Sequence, residues 1–500
     1  MSLPDDGHGS WQRLDPRMLL VHPIRELLRF LPALIGLFVA GTASGGVAPQ
    51  WQLLAVAVPV AVGLMRYLTT SFRIDAERVE LRRGLVSRHR LSTRLERVRT
   101  VDLSSSPIQR VLGLSTVRIG TGTASTNEED QIDLDGLPTE GARRLRSDLL
   151  HRIRPPDPDP AGPDDATGPR APAPTDEQVV LVLDPRWARY APLTSAGVVL
   201  TAGVLGVGSQ VLDQLNGGRG FELDLALDRT GMLVVVPLVL FGLATTITVL
   251  AVVGYLMTNW GFTLSHTAGD GSWHLRRGLL TTRETSIDEN RLSGVSVGEP
   301  LGLRLSGAAR LSAIVTGLDR QQQGSSVLVP PAPRDVVAGV GAAVLRVPGP
   351  LGTPLVGHGP RAVQRRWTRA LTPTIVAAVG LVAAVLAGAP GWLLVAAALL
   401  PVAGAALAAD RARSLGHALT NGFLVARSGS LYRQRQALAV DDVIGWTFRA
   451  TWFQRRAGLT SLVATTAGGP QSVTVLDVPE ERAVELASDA LPTLVRQFTA

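Results

Sequence analysis

The pentapeptide Gly294-Val-Ser-Val-Gly298 is the segment of this sequence that most resembles a catalytic motif. It matches the pattern G-x-S-x-G, in which a serine nucleophile stands on a sharp turn between a strand and a helix. Here Ser296 occupies a strand-like position, and Glu299-Pro300 follow where the motif requires a long helix. We therefore expect no serine catalysis, and more broadly a protein that is not an enzyme.

The residue types that hold metals and cofactors give no pattern either. Because there is no cysteine, disulfides, thiolate metal sites and cysteine nucleophiles are excluded. The eight histidines form no i, i+4 pair or other metal-binding cluster. All 49 basic residues are arginine, which rules out a phosphate-binding glycine loop with its lysine. The sequence predicts no metal and no cofactor.

A dense group of arginines surrounds Gly84. Its members are Arg82, Arg83, Arg88, Arg90, Arg94, Arg97 and Arg99. Two interpretations stay open: a solvated domain surface, or a surface that contacts anionic lipid head groups at about 1 kcal/mol per residue. No aromatic residues interleave these arginines for base stacking, so nucleic acid is not an expected partner.

The composition is typical of a membrane protein with sizeable soluble parts. Of 500 residues, 45% are hydrophobic and only 18% charged, and the mean hydropathy is +0.20. Six apolar stretches are long enough to cross a hydrocarbon core, which needs roughly 20 apolar residues. They are residues 27–47, 51–70, 191–211, 232–257, 371–388 and 391–409. The sequence thus predicts about six transmembrane helices arranged as three hairpins.

The distribution of arginine predicts the orientation of these hairpins. Arginines concentrate between the pairs and near both termini, whereas the connection Gly41–Gln50 inside the first pair carries no charge. By the positive-inside rule, the hairpin tips face outward and the remainder lies in the cytoplasm, as in a multi-pass protein of the cell membrane. An alternative is a cleaved signal peptide over residues 27–46, but that stretch is long and lies far from Met1.

One five-residue segment, Leu-Arg-Arg-Gly-Leu, occurs at both Leu81–Leu85 and Leu275–Leu279. The resemblance continues in register when residues are counted from Gly84, Gly278 and Gly429. Seventeen residues on stand Val101, Val295 and Trp446, and twenty-nine residues on stand Gly113, Gly307 and Gly458. This spacing predicts that a whole module, a hairpin followed by a β-rich domain, is repeated three times.

Local patterns predict the elements of each β-rich domain. Alternation of apolar and polar residues indicates antiparallel strands with one buried face. Ser106 is placed to cap a short helix that begins at Pro107 and ends at Gly113. Closing helices are expected near 137–152, 333–346 and 479–498. Such strands, closed by one helix, predict a small, partly open α+β barrel.

These motifs resemble a known family. Leu81–Leu85, Leu95-Glu-Arg-Val98, Ser106–Leu114 and Val117-Arg-Ile119 are similar to the bacterial pleckstrin-homology-like (PH-like) domain of YdbS/YdbT-type membrane proteins. The resemblance is close for 71–153, moderate for 410–498 and weaker for 260–347. It implies a PH-like fold in a membrane setting, and it supplies no catalytic residue.

The predicted domain plan follows from the apolar stretches and the repeat. It comprises a cytoplasmic N-terminus (1–26), hairpin 1 (27–70), PH-like domain 1 (71–153), a Pro/Asp/Ala-rich linker (154–178), hairpin 2 with its extracellular loop (191–257), a diverged PH-like domain 2 (260–347), a linker (348–366), hairpin 3 (371–409) and PH-like domain 3 (410–498). We expect a non-enzymatic integral membrane protein whose PH-like domains act as binding or assembly modules. The expected partners are membrane lipids, other copies of the chain or a membrane protein.

A transporter or channel subunit is the alternative function, because six spans are enough to form one. Pathways for ions and polar substrates use polar or ionisable residues at mid-membrane depth. The predicted spans place ionisable residues only near their ends, as at Arg29 and Arg66. This distribution favours the binding or assembly function.

Overall fold

The structure is a computed structural model and describes most of the chain outside the linker and the first apolar stretches. The described residues are 11–26, 67–75, 78–83, 89–94, 100–120, 132–152, 177–194, 229–269, 271–315, 326–466 and 472–492, with a few positions in 57–65 and 199–206. They group into two compact units, Met1–Glu289 and Asn290–Ala500. Below, module 1 denotes residues 71–153, module 2 denotes 260–347 and module 3 denotes 410–498.

Twenty strands and nine α-helices have defined bounds in the described residues. The strands are β1 Gln12–Arg13, β2 Ser71–Ile74, β3 Arg78–Arg83, β4 His89–Arg94, β5 Thr100–Ser105, β6 Leu114–Gly120, β7 Ile132–Pro138, β8 Glu177–Val182, β9 Thr263–Thr267, β10 Ser272–Arg277, β11 Thr282–Asp288, β12 Leu292–Pro300, β13 Ala308–Val315, β14 Val327–Pro333, β15 Gly416–Thr420, β16 Phe423–Gly429, β17 Tyr432–Ala439, β18 Val443–Arg449, β19 Leu459–Thr466 and β20 Ser472–Pro479. The helices are α1 Pro107–Val111, α2 Thr139–Arg152, α3 Arg229–Asn259, α4 Leu301–Leu305, α5 Arg334–Leu345, α6 Gly359–Leu386, α7 Leu393–Ser414, α8 Trp452–Arg456 and α9 Glu480–Ala490.

Three helices in the described residues are long and apolar enough to cross a membrane. They are Pro237–Asn259 within α3, Gly359–Leu386 (α6) and Leu393–Ser414 (α7). The prediction of six transmembrane helices as three hairpins was therefore wrong. Hydropathy measures the composition of a stretch, whereas a span also requires one unbroken helix of sufficient length. The predicted stretches 27–47, 51–70 and 191–211 lie largely outside the described residues.

Helices α6 and α7 form a closely packed pair. The connection between them, Ala387–Trp392, is short and carries no charge. A Cβ atom added at Gly404 of α7 would stand 2.5 Å from the hydroxyl of Thr374 on α6. Glycine at this position lets the two helix backbones approach, as small residues do between helices in membranes.

Unit 1 contains two antiparallel sheets that share a core. One has the order β1-β2-β3-β4, and the other has the order β7-β6-β5-β11-β10-β9-β8. Phe72, Val79 and Leu81 from the first sheet pack against Val101 and Val117 from the second, all 2% exposed or less. The N-terminal segment also joins this fold: residues 18–26 are helical and bury side chains such as Met18 against module 1.

Unit 2 contains a six-stranded and a three-stranded antiparallel sheet. Their orders are β14-β13-β12-β17-β16-β15 and β18-β19-β20. Leu424 and Leu438 of the larger sheet pack against Leu462 and Val475 of the smaller one. Ala483 of the closing helix α9 completes this core with no exposed surface.

Both larger sheets are shared between modules. In unit 1, β5 of module 1 pairs antiparallel with β11 of module 2. In unit 2, β12 of module 2 pairs antiparallel with β17 of module 3. The PH-like β-structure expected from the sequence is present, but the separate barrel expected for each module is replaced by strand pairing between neighbours. We call these two strand pairs joint 1 and joint 2.

The glycine that ends the short helix of each module has the same backbone conformation. Gly113, Gly307 and Gly458 have φ values of 70°, 73° and 63°. Each follows a short helix, α1, α4 or α8, and ends it in the left-handed conformation that glycine adopts without steric cost. The predicted cap is also present, since Ser106 and Gln109 form a reciprocal capping box at the start of α1.

The segment that precedes each apolar region returns to its own module. Strand β1 pairs with β2, and β8 pairs with β9. In module 3 the same role falls to Val356, whose backbone exchanges two hydrogen bonds with His417, at 2.8 and 3.1 Å. The two ends of α6 and α7 are thereby held together at module 3.

Candidate functional site

The arginine group expected from the sequence lies on the outer face of the four-stranded sheet. Arg82 of β3 stands directly opposite Arg90 of β4, and Arg78 stands opposite Arg94. Arg78, Arg90 and Arg94 are exposed, while the guanidinium of Arg82 covers the Trp11 ring at 3.5 Å from its centroid. These opposed arginines give the face a concentrated positive potential. Like charges placed opposite each other also destabilise the sheet.

The structure does not place every predicted member of this group. Arg83 is described only as part of strand β3, and Arg88, Arg97 and Arg99 lie outside the described residues. Arg78 belongs to the same face and was missed by the sequence analysis. Its place in the strand alternation with Arg82 is the signal that could have identified it.

The glycine turn of module 2 is attached to the end of a helix of membrane-spanning length. The amide of Gly278 donates to the carbonyl of Trp260, and the amide of Leu279 donates to Met257 of α3, both at 2.9 Å. Gly278 has a φ of 112°, and a Cβ atom there would overlap the carbonyl of Thr281. Leu279 and Leu280 follow with 40% and 48% of their surface exposed.

A cavity of about 450 Å³ opens beside this turn. Arg110, Arg276 and Arg277 line it together with Trp260, which directly follows α3. Burial, followed by the charge of Arg283, lowers the pKa of Arg277, so its positive charge is poorly solvated. An anion in this cavity would offset that cost, and a phosphate or carboxylate suits arginine donors.

The glycine turn of module 3 is attached to the end of α7 in a comparable way. Ser414, the last residue of α7, donates through its hydroxyl to the carbonyl of Gly429. Ser430 donates to Asp410 of the same helix at 2.9 Å. Leu431 follows in the turn and is 58% exposed. In both units, a glycine turn with exposed leucine side chains therefore stands at the end of a spanning helix.

Each joint is reinforced by an arginine that stands twenty-six residues after Gly84 in module 1 or after Gly278 in module 2. In joint 1, Arg110 donates to the carbonyls of Leu279 at 2.9 Å and Leu280 at 3.0 Å. In joint 2, Arg304 donates to the carbonyl of Ser430 at 3.4 Å and forms an ion pair with Asp410 at 3.0 Å. These equivalent arginines hold the glycine turn of the next module.

The G-x-S-x-G segment lies in the middle of joint 2. Ser296 stands opposite Ser312 on one side and Gln436 on the other, so it occupies a central strand and not a strand-to-helix turn. A Cβ atom at Gly294 would overlap the carbonyl of Ala437 in β17. At this position glycine allows the two strands to approach.

Two histidines far apart in sequence form a buried pair in unit 2. The Nδ1–H of His358 donates to the carbonyl of Leu476 at 2.7 Å, so its Nε2 accepts from Nδ1 of His417 at 3.0 Å. Burial lowers the pKa of both, and that of His417 falls to about 4. Both rings are therefore neutral at pH 7. No sequence spacing indicates this pair, because the bridge between Val356 and His417 creates it.

A buried carboxylate ties α6 to module 3. Asp477, 1% exposed, contacts Arg365 at 3.2 Å and Arg366 at 2.6 Å. It also accepts a hydrogen bond from the amide nitrogen of Gln454 at 2.7 Å. Because both arginines are also largely buried, the three groups depend on each other for charge compensation.

Comparison with known families is consistent with this geometry. Residues 27–153 and 373–490 match the family model described as bacterial PH domain. The chain contains bacterial PH domains. The matches span modules 1 and 3 together with the apolar residues before them, so the resemblance of these two modules to the bacterial PH-like domain is confirmed. Comparison with curated proteins and with solved structures finds no match. PH-like domains indicate a role as binding modules.

Proposed function

We propose that this chain is a non-enzymatic, membrane-embedded assembly protein whose PH-like modules rest on the bilayer through their glycine turns. The observation that carries this proposal is the attachment of the Gly278 turn to the last turn of α3, with Leu279 and Leu280 exposed beside it. A residue bonded to the end of a spanning helix lies at the depth of the lipid head groups. Exposed leucine side chains at that depth are stabilised by contact with the acyl boundary.

Arginine side chains complete this surface. Arg110, Arg276 and Arg277 line a cavity beside the same turn, and Trp260 stands at its edge with half of its surface exposed. Tryptophan and arginine are the residue types that anchor a protein at the head-group level. We therefore extend the predicted head-group contact from the arginine face of β3 and β4 to this cavity, with anionic lipid as its ligand. YdbS/YdbT-type proteins remain the proposed relatives.

The flanks of α6 and α7 support a cytoplasmic location for the modules at the cell membrane. Arg365, Arg366 and Arg369 stand near the start of α6, and Arg411 and Arg413 stand in the last turn of α7. The connection between the helices carries no charge. By the positive-inside rule, the arginine-rich ends and the module attached to them face the cytoplasm.

The test uses the absence of cysteine to place one fluorescent label on the full chain in liposomes. We expect a label on Leu280→Cys to show a blue-shifted emission and to be quenched by brominated lipids, because that side chain contacts the bilayer. Asp335→Cys, exposed in the first turn of α5, is the control and should show neither effect. Equal quenching at the two positions, or water-like emission at both, would refute the proposed contact between the glycine turn and the bilayer.

A further inference from the structure

Two strands, one in module 1 and one in module 3, are edge strands that pair with a single neighbour in the described residues. In the described residues, β4 is the last strand of its sheet and pairs only with β3, while β18 is the first strand of its sheet and pairs only with β19. Gly84, Gly278 and Gly429 are called the module glycines, and counted from them β4 is the equivalent of β11 and β17. Likewise, β18 is the equivalent of β5 and β12. The two edges are thus the two halves of a joint that the chain forms twice.

The two joints have the same register. In joint 1, Val101 stands opposite Ser286, and in joint 2, Val295 stands opposite Ala437. In both cases, a residue seventeen positions after its module glycine faces one that stands eight positions after the glycine of the next module. Because the sequences of the four strands differ, the shared register reflects the geometry of the module and not one particular set of side chains.

We propose that β18 of one copy pairs antiparallel with β4 of a second copy, which forms the same joint between molecules. The register places Trp446 of one copy opposite Ser92 of the other, and Phe448 opposite Arg90. The partner is therefore a second copy of this chain, joined head to tail. This inference rests on the proposed assembly function and names its partner.

The arginine that reinforces each joint has an equivalent in module 3, next to the edge strand β18. Arg110 and Arg304 stand twenty-six residues after their module glycines, and Arg455 of α8 stands at the same distance from Gly429. In the described part of the chain, Arg455 is exposed and its guanidinium has no hydrogen-bond partner. It holds the position from which its equivalents bind the glycine turn of the next module.

Exposure of apolar surface distinguishes β18 from the strands already joined. Val295 of β12 is 0% exposed and Leu103 of β5 is 5% exposed, whereas Phe448, the equivalent of Leu103, is 46% exposed. Ile444 at the start of β18 is 59% exposed. An edge strand with exposed apolar side chains is a template for pairing with another chain.

Charge favours pairing between unlike edges. Strand β4 exposes Arg90 and Arg94, which repel a second β4. The helix α9 that covers the sheet of β18 is acidic. It exposes Glu480, Glu481, Glu485 and Asp489 against a single arginine, Arg482. Repulsion between the arginines of β4 disfavours the symmetric pairing of β4 with itself.

A disulfide between two single-cysteine copies tests the register directly. Arg90→Cys and Phe448→Cys, each in its own full-length chain, are co-reconstituted in liposomes and oxidised. Directly opposed residues in an antiparallel pair have Cβ atoms about 4.5–5.5 Å apart, close to the separation in a disulfide. We expect a covalent dimer from this pair and none when Asp335→Cys replaces Phe448→Cys. Absence of the covalent dimer would overturn the proposal. The proposal would also be overturned if a chain that carries both Arg90→Cys and Phe448→Cys formed its disulfide only within one molecule.

Charge reversal at the reinforcing arginine provides a second test in a chain that stays folded. Arg455→Glu should weaken self-association of the full-length protein about tenfold in sedimentation velocity, because it removes the donor to the turn of the next copy. Arg456→Glu is the matched control, since this position holds Val111 and Leu305 in the other modules. Equal association of the two variants would contradict the proposed joint. Bilayer contact at residue 280 is measured independently, so a parent protein that does not self-associate would refute only the self-assembly and not the proposed contact with the bilayer.

Discussion

At the scale of single residues, buried polar groups hold module 3 to the helices attached to it. His358 directly precedes α6, and His417 lies in the first strand after α7. Both side chains are 5% exposed, and one hydrogen bond joins the two rings. A proton on either ring would remove the acceptor on His358 or place a charge in a poorly solvated position.

This pair predicts that unit 2 loses stability in mild acid. The folded-state pKa of His417 is about 4, whereas the unfolded chain takes up its proton near pH 6.5. The stabilisation is thus fully present above pH 6.5 and is lost as the pH falls toward 4, by about 3 kcal/mol for this residue. Chemical denaturation of the full chain at pH 7 and pH 4.5 measures the change.

The variant His417→Asn is the control for this pH dependence. Asparagine keeps an N–H donor for the Nε2 of His358 but cannot be protonated in this range. We expect its unfolding free energy to vary less between pH 7 and pH 4.5 than that of the parent chain. A parent chain whose stability rises on acidification would contradict the assigned neutral pair.

At the scale of elements, one backbone conformation recurs at the end of each short helix. Gly113 and Gly307 have open space around the position of a Cβ atom, so a side chain there meets only the strain of a positive φ. The short helices α1 and α8 also share the same capping box, formed by Ser106 with Gln109 and by Thr451 with Gln454. The repeat in the sequence therefore records a repeated local geometry.

Substitution of these glycines by alanine should destabilise the protein by a similar amount at each site. We expect about 1 kcal/mol for Gly113→Ala and for Gly307→Ala, because alanine disfavours the left-handed conformation. Gly141, within α2 and with open space around it, is the matched control. Gly141→Ala, in the first turn of α2, should instead stabilise by up to about 1 kcal/mol, since alanine favours a helical backbone more than glycine does. Thermal unfolding of the four chains decides, and a loss at Gly141 equal to that at Gly113 would contradict the argument.

These elements also show which parts of the structure the sequence determines locally. The cap at Ser106, the end at Gly113 and the antiparallel strands follow from short-range sterics and alternation, and the structure contains them. The joints do not follow, because alternation identifies the buried face of a strand but not which strand lies beside it. The turn at Gly278 depends locally on glycine, which has a φ of 112° there, but its attachment to α3 depends on hydrogen bonds between distant backbone groups.

At the scale of the whole molecule, the compact units do not coincide with the sequence repeats. The boundary at Glu289–Asn290 falls between β11 and β12, inside module 2. Strands on either side of it belong to different sheets, one shared with module 1 and one shared with module 3. The sequence repeat defines three modules, whereas strand pairing at the joints groups the residues into two units.

The amides of β5 should therefore be better protected from hydrogen exchange in a fragment that ends at residue 289 than in one that ends at residue 178. The longer fragment keeps β11 beside β5, whereas the shorter one leaves β5 with an open edge and exposes side chains such as Val101 and Leu103. Every second amide of β5 loses its acceptor in the shorter fragment, because hydrogen bonds in an antiparallel strand alternate between its two neighbours. We expect hydrogen exchange at those amides to be on the order of tenfold faster or more than in the full chain, since exchange follows local opening. In the fragment 1–289 their rates should equal those of the full chain.

The amides of β3 are the internal control, because β3 keeps both neighbours, β2 and β4, in either fragment. Equal protection of β5 in the two fragments would show that module 1 folds without joint 1.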